Sequence, residues 1–116
     1  MEFNYTLEEK DGLAIFKIIG NLIEKSQAIP LLEDVEECIM KDINQLILDM
    51  TDFRYLNSTG LNIFINILTK ARRSGGEVVI CSVSPKIKEL LIITKLNTIF
   101  LVSDHLEDAI KLLNNK

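Results

Sequence analysis

Four kinds of side chain in this sequence could do chemistry: the hydroxyls of Ser58 and Thr59, the carboxylates of Asp49 and Asp52, the imidazole of His105, and the thiols of Cys38 and Cys81. The hydroxyls are the most informative. They stand in Asn57-Ser58-Thr59-Gly60, between a buried apolar run ending near Asp49 and a helical pattern beginning near Thr59. In parallel α/β sheets, functional groups collect where strands end and helices begin. The first turn of a helix offers backbone N–H groups without intrahelical partners, together with the positive end of the dipole. A phosphate on Ser58 is accommodated there without an arginine clamp. It adds about −1.5 to −2 charges at neutral pH to a surface suited to packing on a partner. Asn57, Ser58 and Thr59 are also all good N-cap residues, so plain helix capping is the competing use of Ser58.

The remaining groups offer less. Asp49 and Asp52 could suggest an acidic phosphotransfer pocket, but side chains alternate along a strand. An odd spacing points them apart unless the chain turns between them. His105, in Ser103-Asp104-His105-Leu106-Glu107-Asp108, reads as an exposed first-turn residue, and a triad built on it and Ser58 lacks the GxSxG elbow. A lone histidine with no cluster of ligands at metal spacing argues against a metal site. Gly75-Gly76 is an isolated pair before a strand, and no phosphate-cradling GxxxxGK[ST] or GxGxxG occurs, so no cofactor is expected. Cys38 and Cys81 sit among aliphatic residues, where a cysteine behaves as a small core hydrophobe suited to a reducing cytosol. The sequence reads as an interaction module and not as an enzyme.

The elements that must position Ser58 follow from periodicity. Phe3, Tyr5 and Leu7 alternate with polar residues as in a half-buried strand; Lys10-Asp11-Gly12 supplies a turn, and Leu13 to Ile19 forms a second strand, giving an antiparallel hairpin. Ser26 is the expected cap of the next helix, with Pro30 in its first turn and Leu31, Leu32, Val35, Cys38 and Ile39 at helical spacing. The acidic cluster Glu33, Asp34, Glu36 and Glu37 marks its solvated face, with docking as the other use. Leu46-Ile47-Leu48 is a central strand, Val78 to Cys81 another, and Ile99 to Val102 the last. Ser84-Pro85 starts a helix, and Asp104 with Glu107 resembles a capping box for a final one. Strands alternating with helices after a hairpin indicate a mixed, mostly parallel α/β sheet with about four helices, one domain over residues 1–116.

The helix after Ser58 carries Leu61, Phe64, Ile65 and Leu68 as its expected core stripe, and Ile63, Ile67 and Ala71 widen the apolar arc. Two readings stand. Either the helix is deeply packed, or Ile63 and Ile67 are partly exposed. In the second case they join Asn57, Ser58, Thr59, Asn62 and Asn66 in a partner site. Ile92-Ile93 likewise reads as core or contact, which leaves a monomer or a weak dimer open.

Composition narrows the class. The 116 residues are 47% hydrophobic and 26% charged, the balance of a globular domain. Acids outnumber bases 17 to 13, for a net charge of -4. That removes the dense basic face needed for general nucleic-acid binding and disfavours docking on anionic membranes. No basic-then-apolar leader opens the chain and no apolar run is long enough to span a bilayer, so the expected compartment is the cytoplasm.

The stretch from Leu46 to Phe64, LILDMTDFRYLNSTGLNIF, resembles the signature of the STAS domain (sulfate transporter and anti-sigma factor antagonist), with Asp49, Phe53, Ser58, Gly60 and Leu61 in matching places. Leu13 to Leu22, Gly75 to Phe100 and Leu106 to Leu113 resemble the family's other segments, in the same order. The resemblance implies a stand-alone anti-sigma factor antagonist. Such a protein binds an anti-sigma factor that is also a serine kinase, which releases a sigma factor. The kinase, which holds the ATP, then phosphorylates the residue matching Ser58 and ends the binding; a serine phosphatase resets the switch. Thr59 is a possible second acceptor. The family's Asp before the acceptor is here Asn57, which removes a charge and favours the alternative of a non-switched STAS scaffold in a transporter or lipid-transport complex.

Overall fold

The computed structural model describes residues 2–114. Five strands run in sequential order across one sheet: β1 (Asn4–Lys10), β2 (Leu13–Leu22), β3 (Gln45–Leu56), β4 (Glu77–Cys81) and β5 (Leu101–Ser103). The four helices are α1 (Ile29–Met40), α2 (Ser58–Arg73), α3 (Pro85–Ile93) and α4 (Leu106–Asn114). β1 pairs antiparallel with β2, and every later pair is parallel. The expected mixed sheet with its N-terminal hairpin is therefore the observed one. Asp11 and Gly12 both take positive φ (53° and 81°), the two-residue turn whose twist matches a hairpin.

Strand order explains the layers. Each parallel crossover moves one strand further in the same direction, and right-handed connections then place their helices on one side. Leu31, Val35 and Cys38 of α1, the inner stripe of α2, and Ile87 and Leu91 of α3 accordingly share a core with Ala14, Phe16, Ile18, Leu46, Leu48 and Val78. The opposite face, with Leu13, Ile15, Ile47, Val79 and Cys81, is covered by α4 through Ala109 and Leu113. No helix among the described residues is long and apolar enough to cross a membrane.

Three local expectations change. Ser26 does not cap α1: it lies in a 3₁₀ turn (Lys25–Ala28), where Glu24 and Gln27 form a reciprocal capping box. The central strand continues past Asp49 to Leu56, because Met50, Phe53 and Leu56 keep finding the core across a register shift opposite β2. The last strand starts at Leu101, two residues late, since Leu96–Thr98 forms a 3₁₀ turn that Phe100 closes with an N–H bond to the Leu96 carbonyl.

Candidate functional site

The site is assembled by the end of β3 and the start of α2. Asn57 is the N-cap, in extended conformation, and its Oδ1 accepts the Gly60 N–H at 3.1 Å. Its Nδ2 donates to the Ile23 carbonyl at 3.0 Å, which ties the connection after β2 to the same turn. Only an amide can do both at neutral pH; a carboxylate would cap the helix and face a carbonyl with no proton to give. With the cap supplied by Asn57, Ser58 is the first helical residue and is exposed, and its hydroxyl is left free of the capping role. No acidic residue occupies the first turn of α2.

Gly60 sets the rotation of the helix. A Cβ there would stand 2.7 Å from the Leu22 carbonyl oxygen and 2.8 Å from Leu56 Cβ, so the first turn lies directly on backbone. The face carrying Gly60 must point down. The buried stripe is consequently Gly60, Ile63, Phe64, Ile67, Leu68 and Ala71, and Leu61 and Ile65 are half-buried at its edge. This corrects the reading that placed Ile63 and Ile67 in a partner surface: they are 5% and 0% exposed and belong to the core. Phe64 meets Phe53 edge-on at 5.6 Å within it.

Helical spacing then separates the remaining candidates. Ser58, Asn62 and Asn66, four apart, lie on one exposed stripe. Asn57 and Thr59 are half-buried, and Thr59 shares the inward-turning row of Ile63 and Ile67. The apolar surface beside Ser58 comes from elsewhere. A groove of about 570 Å³ opens between the α2 start and α3, lined by Tyr55, Ser58, Leu61, Lys86, Leu90 and Ile93 among others. Tyr55 is 46% exposed and Ile93 68% exposed, and Lys86 Nζ sits 5.5 Å from the centre of the Tyr55 ring. Ile23, whose carbonyl Asn57 holds, is also exposed. Tyr55, Lys86, Leu90 and Ile93 were not read from the sequence as site residues. Ile92-Ile93 was the available signal, two adjacent large apolar residues that cannot share one helix face.

None of the other chemistry-bearing groups lines this groove. Asp49 is buried, and its Oδ1 accepts from the Thr51 N–H (3.1 Å) and the Thr51 hydroxyl (2.7 Å). Lys17, in register with Asp49, pairs with Asp52 at 3.1 Å, so the bulge in this stretch turns Asp52 to the side of Asp49, against the plain alternation rule. Cys38 and Cys81 are buried free thiols, each pushed up to about 11 chiefly by burial, with the Glu9 carboxylate adding at Cys38 and that of Asp49 at Cys81. His105 is exposed just before α4, where its carbonyl accepts the Ala109 N–H. Among the described residues, no group of three His, Cys, Asp or Glu side chains could hold a metal ion.

Fold and site together define the class: a small mixed-sheet α/β domain that presents one serine at a helix start beside an apolar groove. The chain belongs to the STAS domain family, whose profile matches residues 4–109. It is 27% identical over 99 residues to the anti-sigma-B factor antagonist of Listeria monocytogenes, covering 85% of this chain and 87% of that one. Among solved structures, it resembles a Thermotoga maritima protein described as an anti-sigma factor antagonist (TM-score 0.85, 22% identity, 95% and 94% coverage). It also resembles SpoIIAA in its unphosphorylated form (TM-score 0.76, 13% identity, 97% and 100% coverage). The phosphorylated form, from Bacillus, matches with a TM-score of 0.72 at 14% identity, covering 93% and 97%.

Proposed function

We propose that this protein is an anti-sigma factor antagonist of the cytoplasm, which binds an anti-sigma factor with serine kinase activity and is released when Ser58 is phosphorylated. The observation that carries the reading is the free, exposed Ser58 hydroxyl on the lip of the apolar groove, with capping delegated to Asn57. The unmodified surface, Ser58, Asn62 and Asn66 with Tyr55 and Ile93, docks on the partner. Transfer then makes a bond from Ser58 Oγ to the γ-phosphorus of the ATP held by the kinase. The bond to the bridging oxygen breaks, ADP leaves, and the hydroxyl proton passes to a base on the kinase. The product carries about −1.5 to −2 charges in a place that must lose water on docking, which penalises the bound state selectively. A serine phosphatase resets it.

Asn57 in place of the family's Asp fits this reading, because the amide is needed for the Ile23 tether and the helix cap survives unchanged. The scaffold reading, which that substitution favoured, is set against the switch by one experiment. The protein is incubated with the kinase-type anti-sigma factor with which it co-purifies and with ATP, and the phosphopeptide is mapped. Phosphate on Ser58, with Ser58→Ala retaining the partner and Ser58→Glu losing it, supports the switch. No phosphate on Ser58, or a transporter subunit as the co-purifying protein, overturns it.

A further inference from the structure

The groove beside Ser58 holds one base, Lys86, and one acid, Glu89, among its described lining residues. Lys86 occupies the first turn of α3, after Pro85, where the positive end of the helix dipole disfavours a cation. Four other basic side chains, Lys17, Lys41, Lys70 and Arg72, have carboxylate partners. Lys86 has none among the described residues and rests on the face of Tyr55, 5.5 Å from the ring centre. A ring face attracts a cation far less strongly than a dianion does. The ammonium is thus a loosely held charge sharing a groove with the hydroxyl of Ser58.

We propose that Lys86 is the internal counter-ion of a phosphate on Ser58, leaving the Tyr55 ring to pair with it. The proposal rests on Ser58 as the phosphoacceptor. It adds a second part to the switch: modification introduces negative charge and at the same time draws the Lys86 stem across the groove between Tyr55 and Ile93. The partner then meets both a charge and a covered apolar seat. Other charged residues flank the groove, and Arg54 precedes Tyr55 on β3. Glu89 lies on α3 one turn from Lys86 and competes for it, the first turn of α2 has no acid, and Glu24 and Lys25 follow the tethered Ile23 with opposite signs.

The test installs phosphoserine at position 58 during translation, with no kinase, and follows the ³¹P shift of the intact chain from acid to neutral pH. A nearby cation favours the dianion, so the second phosphate pKa is lowered by Lys86. Lys86→Met is expected to raise it by about half a unit, an effect that shrinks in high salt as screening shortens. Lys86→Arg restores the low value, and Glu89→Gln lowers it further. Both residues are exposed, so the variants keep the fold. An unchanged pKa in Lys86→Met, or a rise that Lys86→Arg does not reverse, overturns the proposal. Because no kinase takes part, a failure here leaves the Ser58 reading standing. A chain that no kinase modifies leaves this titration intact.

Discussion

Ile63 and Ile67 of α2 and Ile92 and Ile93 of α3 are chemically alike, and the fold uses them in opposite ways. The α2 pair is sealed in the core, whereas Ile92 and Ile93 are 54% and 68% exposed. α2 lies over β3 and β4 with α1 alongside, and Gly60 presses it onto the backbone of β2. α3 crosses toward β5, a strand of three residues, and buries only Ile87 and Leu91 along its length. The apolar residues next to each other at its end have less sheet to cover them. A wide apolar arc on a helix thus reports packing where the helix sits over broad sheet, and leaves exposed apolar surface where the sheet runs out.

That contrast can be broken at several points, and the largest effect belongs to the core. Ile67→Ala is expected to lower unfolding free energy by about 2–5 kcal/mol in urea titrations, the range for emptying a packed site. A loss no larger than that of a surface change would mean that α2 is less deeply seated than its 0% exposure says. Gly60→Ala comes next, at about 1–3 kcal/mol, because the added methyl meets a backbone carbonyl and not a flexible side chain.

Asn57→Ala removes a cap and a tether together and should cost about 1 kcal/mol. Hydrogen exchange sharpens the point, since amides after Ile23 should exchange faster along with those at the start of α2. Ile93→Ser is the reverse case. Stability should stay within about 0.5 kcal/mol, while affinity for the anti-sigma factor proposed as partner falls in calorimetry by more than about 1 kcal/mol. Equal affinity would remove α3 from the proposed docking surface.

The effect confined to alkaline solution is in pH. The two buried thiols are held near 11, above the ordinary value of 9.0 that they regain on unfolding. Between those values the unfolded chain has released the thiol protons and the folded chain has kept them, so stability falls as pH rises from 9 toward 11. Urea midpoints over that range should decline, and Cys38→Ala with Cys81→Ala should flatten the slope.

Much of the architecture is legible in the residues. Alternation in Phe3 to Leu7, the Asp11-Gly12 turn and the apolar runs at Leu46 and Val78 specify strands through local spacing, and strand-helix alternation specifies a parallel sheet. Ser58 is legible too, because Asn57 to Gly60 is a helix start whatever surrounds it. The rotation of α2 was also present in the sequence, in the stripe Gly60, Ile63, Phe64, Ile67, Leu68 and Ala71, but weighting hydrophobicity alone hid it. Glycine adds nothing to such a count, and its role is to let the backbone approach.

Local spacing determined which segments become the main strands and helices and which hydroxyl opens α2, since those depend on neighbours within a few residues. Tertiary structure alone decided that Asn57 would reach the Ile23 carbonyl, 34 positions away, and so do the capping that leaves Ser58 free. It also decided that Tyr55, Lys86 and Ile93 would gather beside that serine. The ends of two parallel strands and the starts of their helices meet at the same edge of the sheet, and no pattern within either segment records what the other brings there.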